Sequence, residues 1–132
     1  MTHHTPTHRL RNKQEPMPAI DWELCVRLAN NKPELAKELL KIFVTDLSIA
    51  QTGFHQALQD KDIEKLNSLT HRLLGATCYC GVPRLKAVLT AMEILIKLPD
   101  ITAMTDLLSV FDKEVNDIVT AFNTDRYTDK TS

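Results

Sequence analysis

Residues 104–122, Met-Thr-Asp-Leu-Leu-Ser-Val-Phe-Asp-Lys-Glu-Val-Asn-Asp-Ile-Val-Thr-Ala-Phe, carry apolar side chains at Met104, Leu107, Leu108, Phe111, Val115, Ile118, Val119 and Phe122. Steps of three and four residues place that set on one face of a helix of period 3.6. The same spacing recurs upstream. Leu35, Leu39, Phe43, Leu47, Ala50, Phe54 and Leu58 predict a long helix that opens at Pro33 and closes near Asp60. Asp62 is placed to cap a third helix running to about Cys80 and ended by Gly81, and Pro83 opens a fourth with Leu85, Val88, Leu89, Met92 and Leu95 inward. Pro99 and Asp100 stop it. A short helix over Ile20–Ala29, with Asp21 as N-cap and Asn30-Asn31 as breaker, precedes them all. Connections of two to five residues between long stripes join antiparallel neighbours. The expected fold is therefore all-α, an up-down antiparallel four-helix bundle with a short N-terminal capping helix.

Composition agrees. The chain has 132 residues, the size of one domain, with only 3 glycines and 5% aromatics, which argues against hairpin turns and strand-rich cores. A formal net charge of −1 leaves no basic field to hold a phosphate backbone, so nucleic acid is not an expected partner. The most apolar run, Ala87 to Leu98, is broken by Glu93 and Lys97, so no membrane insertion is expected. Three cysteines and no export signal point to reduced thiols and a cytoplasmic location. Residues 1–18, with Pro6, Pro16 and Pro18, read as a flexible tail or linker, residues 19–123 as the bundle, and residues 124–132 as a frayed tail. His3, His4 and His8 lie in the first of these, and no metal site is expected there.

On the third helix one residue stands apart. At about 100° per residue, Ile63, Leu66, Leu69, Leu73, Ala76 and Cys80 share a face, and His71 falls roughly 165° from its centre. An imidazole on the solvent side is mostly neutral at pH 7, with its Nε2 lone pair open for nucleophilic attack. Gly75 lies one turn further on the same side, where a glycine costs about 1 kcal/mol relative to Ala within a helix. Close approach by a partner surface explains the missing side chain. Asn67 and Ser68, four and three residues before His71, are placed to contact the imidazole or a phosphate on it, as is Arg72 beside it. Leu74 and Cys78 border the same face.

Cys78 and Cys80, two apart on a helix, point about 160° from each other and share neither an ion nor a bridge. His55 has no acidic or cysteine neighbour at ligand spacing, and Trp22 anchors the first helix. No nucleophile triad, Gly-rich phosphate loop or paired-carboxylate site stands out, so catalysis by this domain alone is not expected.

The run His71-Arg72-Leu73-Leu74-Gly75-Ala76-Thr77, followed by Gly81 and Leu85, resembles the signature of histidine-containing phosphotransfer (HPt) domains. Cys78 through Leu85, with Ile20-Asp21-Trp22 and Lys32-Pro33-Glu34-Leu35-Ala36, is similar more narrowly to the C-terminal HPt domains of BarA/GacS-type hybrid sensor kinases. The resemblance extends from about Ala19 to Phe122. It implies a phosphorelay intermediate in which His71 accepts a phosphoryl group from a receiver-domain aspartyl phosphate and passes it to the Asp of a response regulator. It also implies a monomeric phosphocarrier without its own cofactor, Mg²⁺ coming from the receiver, and a parent protein that is a membrane-anchored kinase. The chain departs from the pattern at Leu74, where the family commonly carries Lys or another polar residue. Arg72, Arg84 and Lys86 are the cations left to supply that charge, Arg72 being nearest in sequence. The rival reading is a helical interaction module that docks a partner on this face without being phosphorylated.

Overall fold

Each helix begins and ends where local chemistry dictates. In the computed structural model, which describes residues 17–98 and 100–124, Asp21 Oδ1 accepts a hydrogen bond from the Leu24 amide at 3.1 Å and starts α1, Trp22–Leu28. That helix is shorter at both ends than the expected Ile20–Ala29, because its cap lies at Asp21 and Ile20 is buried ahead of it. Asn30 and Asn31 adopt left-handed backbone, φ 61° and 62°, and the Asn31 amide closes the end on the Val26 carbonyl at 2.8 Å. Pro33 opens α2, Pro33–Gln59, whose exit uses Lys61 at φ 56°. Asp62 caps α3, Ile63–Ala76, by accepting from the Lys65 amide at 3.0 Å. Pro83 opens α4, Pro83–Lys97, and Asp100 accepts from the Ala103 amide at 3.0 Å at the start of α5, Ile101–Thr124.

The four long helices close a ring. α2 packs on α3, α3 on α4, α4 on α5 and α5 back on α2, while α1 lies against α2. The expected four-helix bundle with a short N-terminal helix is the fold found. Phe54 and Phe111 meet edge to face at its centre, ring centroids 4.9 Å apart. None of the described helices is long and apolar enough to cross a membrane. Residues 1–16, including His3, His4 and His8, and residues 125–132 lie outside the described residues. Helix α5 reaches Thr124, one residue beyond the expected limit.

The stripes differ from expectation in several details, Ile63 at the start of α3 being exposed instead of inward. On α2 the inward residues of the first turns are Ala36 and Leu40, leaving Leu35 exposed and Leu39 half-buried. Near the end of α4 it is Ile96, not Leu95, that is buried. A residue in contact with two neighbours turns a different edge inward than a one-sided stripe suggests. The largest difference is at the end of α3, which stops at Ala76 instead of Cys80. The Thr77 hydroxyl donates to the Leu74 carbonyl at 2.6 Å, and Cys78 to Val82 form a connection that tucks under α1. There the Asp21 amide donates to the Gly81 carbonyl at 2.8 Å, and the Gly81 amide points to Cys25 Sγ at 3.2 Å. A Cβ on Gly81 would stand 2.5 Å from the Asp21 carbonyl oxygen, so this glycine allows close backbone approach and does not terminate the helix. Cys78 and Cys80 are consequently not on one helix, and they diverge because Cys80 turns into the core while Cys78 stays exposed.

Candidate functional site

Helix α3 buries Leu66, Leu69, Thr70 and Leu73, packs the half-buried Leu74 and Ala76 against the core, and turns its other side chains outward. His71 is exposed, as the wheel predicts, and makes no hydrogen bond or ion pair with any described residue. Thr70 beside it satisfies its hydroxyl on the Leu66 carbonyl at 2.7 Å and is sealed in the core. The imidazole thus stands on a helix locked from beneath, with its own nitrogens free.

Gly75 is exposed one turn away, and a Cβ built there meets nothing within 4 Å. Its φ is not positive, so neither a turn nor an internal contact requires glycine. The other two glycines have such contacts. Gly81 faces the Asp21 carbonyl, and a Cβ on Gly53 would stand 3.2 Å from Leu69 Cδ1 where α2 meets α3. Since α3 ends at Ala76, Gly75 sits in the last turn and not in mid-helix, which lowers its cost in helix propensity without supplying a reason for it.

Asn67, Ser68 and Arg72 are all exposed on α3, and none is hydrogen-bonded to the His71 ring. Leu74 is half-buried and packs against the core, so the position one turn from His71 offers no charge. Cys78 is exposed in the turn beyond, and Tyr79 next to it is 60% exposed. Tyr79 escaped the sequence reading because a helix continued to Cys80 would have obscured that turn.

The cations differ in their commitments. Arg84 is spent: its Nη2 lies 2.6 Å from Asp117 Oδ2, and its Nε lies 2.9 Å from Glu114 Oε1, close but out of line for a straight hydrogen bond. Glu114 first and then Asp117 hold the Arg84 guanidinium more firmly protonated than usual. Lys113, 3.0 Å from Asp117, and then Arg84 hold the Asp117 carboxyl below its ordinary range. Arg84 therefore leaves the set that the departure at Leu74 had opened. Arg72 and Lys86 are exposed and have no ion-pair partner among the described residues.

Two further groups belong to the frame. Burial pushes the Cys80 thiol up to about 12, the nearby Cys25 adding to it, and burial likewise raises Cys25. His55 pairs with Asp112, Nε2 to Oδ2 at 2.8 Å, and Gln51 donates to the same carboxylate at 2.9 Å. The sequence concealed this partner because it comes from α5, 57 residues away. Among the described residues no group of three His, Cys, Asp or Glu side chains is placed to hold a metal ion.

An exposed histidine with no partner among the described residues, one turn from a glycine without internal purpose, is the arrangement to compare with known proteins. The model of the Hpt domain family matches residues 38–121. The chain belongs to that family. The Hpt chain is 36% identical over 78 residues to the sensor protein GacS of Pseudomonas syringae pv. syringae, covering 59% of this chain and 9% of that protein. It is 32% identical over 78 residues to the signal transduction histidine-protein kinase BarA of Escherichia coli K12, covering 59% and 8%. It thus spans about a tenth or less of the length of these relatives. A crystal structure of the HPT domain from a sensor hybrid histidine kinase of Shewanella superposes with TM-score 0.59 at 30% identity, covering 77% of this chain and 94% of that one. Histidine-containing phosphotransfer protein B (HptB) of Pseudomonas aeruginosa PAO1 shares the fold at TM-score 0.75 and 20% identity, covering 87% and 100%. As an Hpt domain the chain belongs to two-component phosphorelay signalling, in which such domains are phosphocarriers that meet receiver domains and response regulators.

Proposed function

We propose that His71 is the phosphorylated residue of this Hpt domain, taking a phosphoryl group from the aspartyl phosphate of one receiver and yielding it to the Asp of a response regulator. In the first step Nε2 attacks phosphorus in line. A nitrogen–phosphorus bond forms, the phosphorus–oxygen bond to the Asp breaks with its electron pair going to the carboxylate, and the ring keeps its proton at Nδ1. The second step is the reverse reaction on another receiver. Such transfer depends on positioning and charge neutralisation more than on covalent machinery, and the Mg²⁺ it uses is held by the receiver. The chain acts as a monomeric phosphocarrier without kinase chemistry, on the cytoplasmic side of a membrane-anchored parent kinase.

The observation that carries this reading is the exposed, unpartnered His71 beside an open Gly75. Incubation with a phosphorylated receiver and Mg²⁺ is expected to place acid-labile, alkali-stable phosphate on the wild type and none on His71→Gln. That substitution is expected to change unfolding stability by no more than about 0.5 kcal/mol, because it touches only a solvent-facing side chain. A phosphate-free wild type that still binds the receiver would favour the rival reading of a docking module.

A further inference from the structure

A second imidazole, His55, has no part in the transfer proposed for His71. Its side chain is 52% exposed on α2, and Asp112 of α5 takes its Nε2 at 2.8 Å through Oδ2 and at 3.0 Å through Oδ1. Gln51, one turn before His55 on the same helix, donates to that carboxylate at 2.9 Å. The carboxylate is thus held by two side chains of α2, and it holds the ring in turn. A carboxylate only accepts hydrogen bonds, so Nε2 carries the proton. In the neutral ring the lone pair then belongs to Nδ1, which is hydrogen-bonded to none of the described residues.

A base that orients an imidazole and stabilises the positive charge growing on it as the other nitrogen attacks is the arrangement of an activated nucleophile. His71 has no such partner among the described residues. The two rings also lie on different flanks of the bundle. Gly53 faces α3, since a Cβ there would stand 3.2 Å from Leu69 Cδ1, and His55, two residues on, points roughly 160° away, toward α5. A receiver docked over His71 on α3 therefore leaves this flank to small molecules.

We infer that His55, oriented by Asp112, is a second phosphoryl acceptor of this chain, charged at Nδ1 by small donors of the phosphoramidate class and not by a receiver. Nδ1 attacks phosphorus and forms a nitrogen–phosphorus bond, while the donor's own phosphorus–nitrogen bond breaks with its electron pair leaving on ammonia. The ring keeps its proton at Nε2, against Asp112. Phosphate on His55 thus differs from phosphate on His71 in the nitrogen that carries it, and the inference stands apart from the reading of His71.

The test uses the full chain carrying His71→Gln, with phosphoramidate as donor and N-acetylhistidine in the same reaction as a ring without a carboxylate partner. Peptide mapping in alkali locates the phosphate, and phosphorus NMR assigns the nitrogen. His55 is expected to react at Nδ1 about fivefold faster than the reference compound, or more. Asp112→Asn still accepts from Nε2 but carries no charge, so it is expected to keep the phosphate at Nδ1 and to bring the rate within about twofold of the reference. Asp112→Ala frees Nε2 and is expected to spread the phosphate over both nitrogens, a change that a merely structural loss would not produce. Helical circular dichroism of each variant is expected to match that of the parent chain. A His55 that reacts no faster than the reference, or reacts at Nε2 while Asp112 is present, overturns the inference, as does an unchanged rate in Asp112→Asn. Phosphate delivered to His55 by a phosphorylated receiver overturns the assignment of a small donor.

Discussion

The chain's three glycines meet three different surroundings, and two of them, Gly81 and Gly75, carry predictions at the scale of the residue. Gly81 holds the connection after α3 against α1, with no room for a Cβ between it and the Asp21 carbonyl at 2.5 Å. Gly81→Ala is expected to destabilise by about 1–3 kcal/mol, read from the midpoint of urea unfolding, because the backbones must part. Gly75 has open space around it, so Gly75→Ala is expected to be neutral or to stabilise by up to about 1 kcal/mol. Gly75→Lys is expected to fold equally well and yet slow transfer from a phosphorylated receiver tenfold, about 1.4 kcal/mol in the docked complex. Unchanged transfer would remove the close-approach explanation of Gly75. The prominence of His71 on the wheel was legible in the sequence because solvent exposure on a helix follows directly from the 3.6-residue period. The ion pair of His55 was not, since its Asp112 partner arrives from another helix.

At the scale of the element, the end of α3 decides the fate of the thiols. Because the helix stops at Ala76, Cys80 turns inward beside Cys25 while Cys78 remains at the surface. A thiolate is the reacting form, and burial holds Cys80 up at about 12 with Cys25 also raised. Titration of the native protein with a thiol reagent at pH 8 is expected to find one fast thiol, and three after unfolding. Two fast thiols in the native state would show that the connection after α3 opens. The boundary itself was hard to read from sequence, since Cys80 continues the apolar spacing of α3 and only its contact with the Leu39 carbonyl, 3.7 Å from Sγ, and the nearby α1 reveal another reason for its burial.

Over the whole molecule, Arg84 joins the start of α4 to α5 through Glu114 and Asp117. Glu114 is only 8% exposed, so Arg84→Met would leave a buried carboxylate without its cation, at a cost of about 2–4 kcal/mol. The Asp117 contribution depends on pH in a definite direction. Its carboxyl is held below the ordinary value of 3.8 in the folded chain, so its stabilisation is complete above that value and is lost as pH falls through the lower folded one. The difference in Tm between wild type and Asp117→Asn is therefore expected to be constant from neutral pH down to about pH 5 and to shrink below about pH 4. A difference that grows on acidification would contradict the ion pair.

The sequence by itself determined the five helices, most of their boundaries, the antiparallel bundle and the exposed face of His71. All of these follow from periodicity, caps and short connections, which are properties of residues close together in the chain. Tertiary structure decided what depends on residues far apart. It placed Gly81 under Asp21, buried Glu114 against Arg84, and turned Cys80 toward Cys25. A helical repeat specifies which way a side chain leaves its own axis, whereas only the packing of axes specifies what it meets.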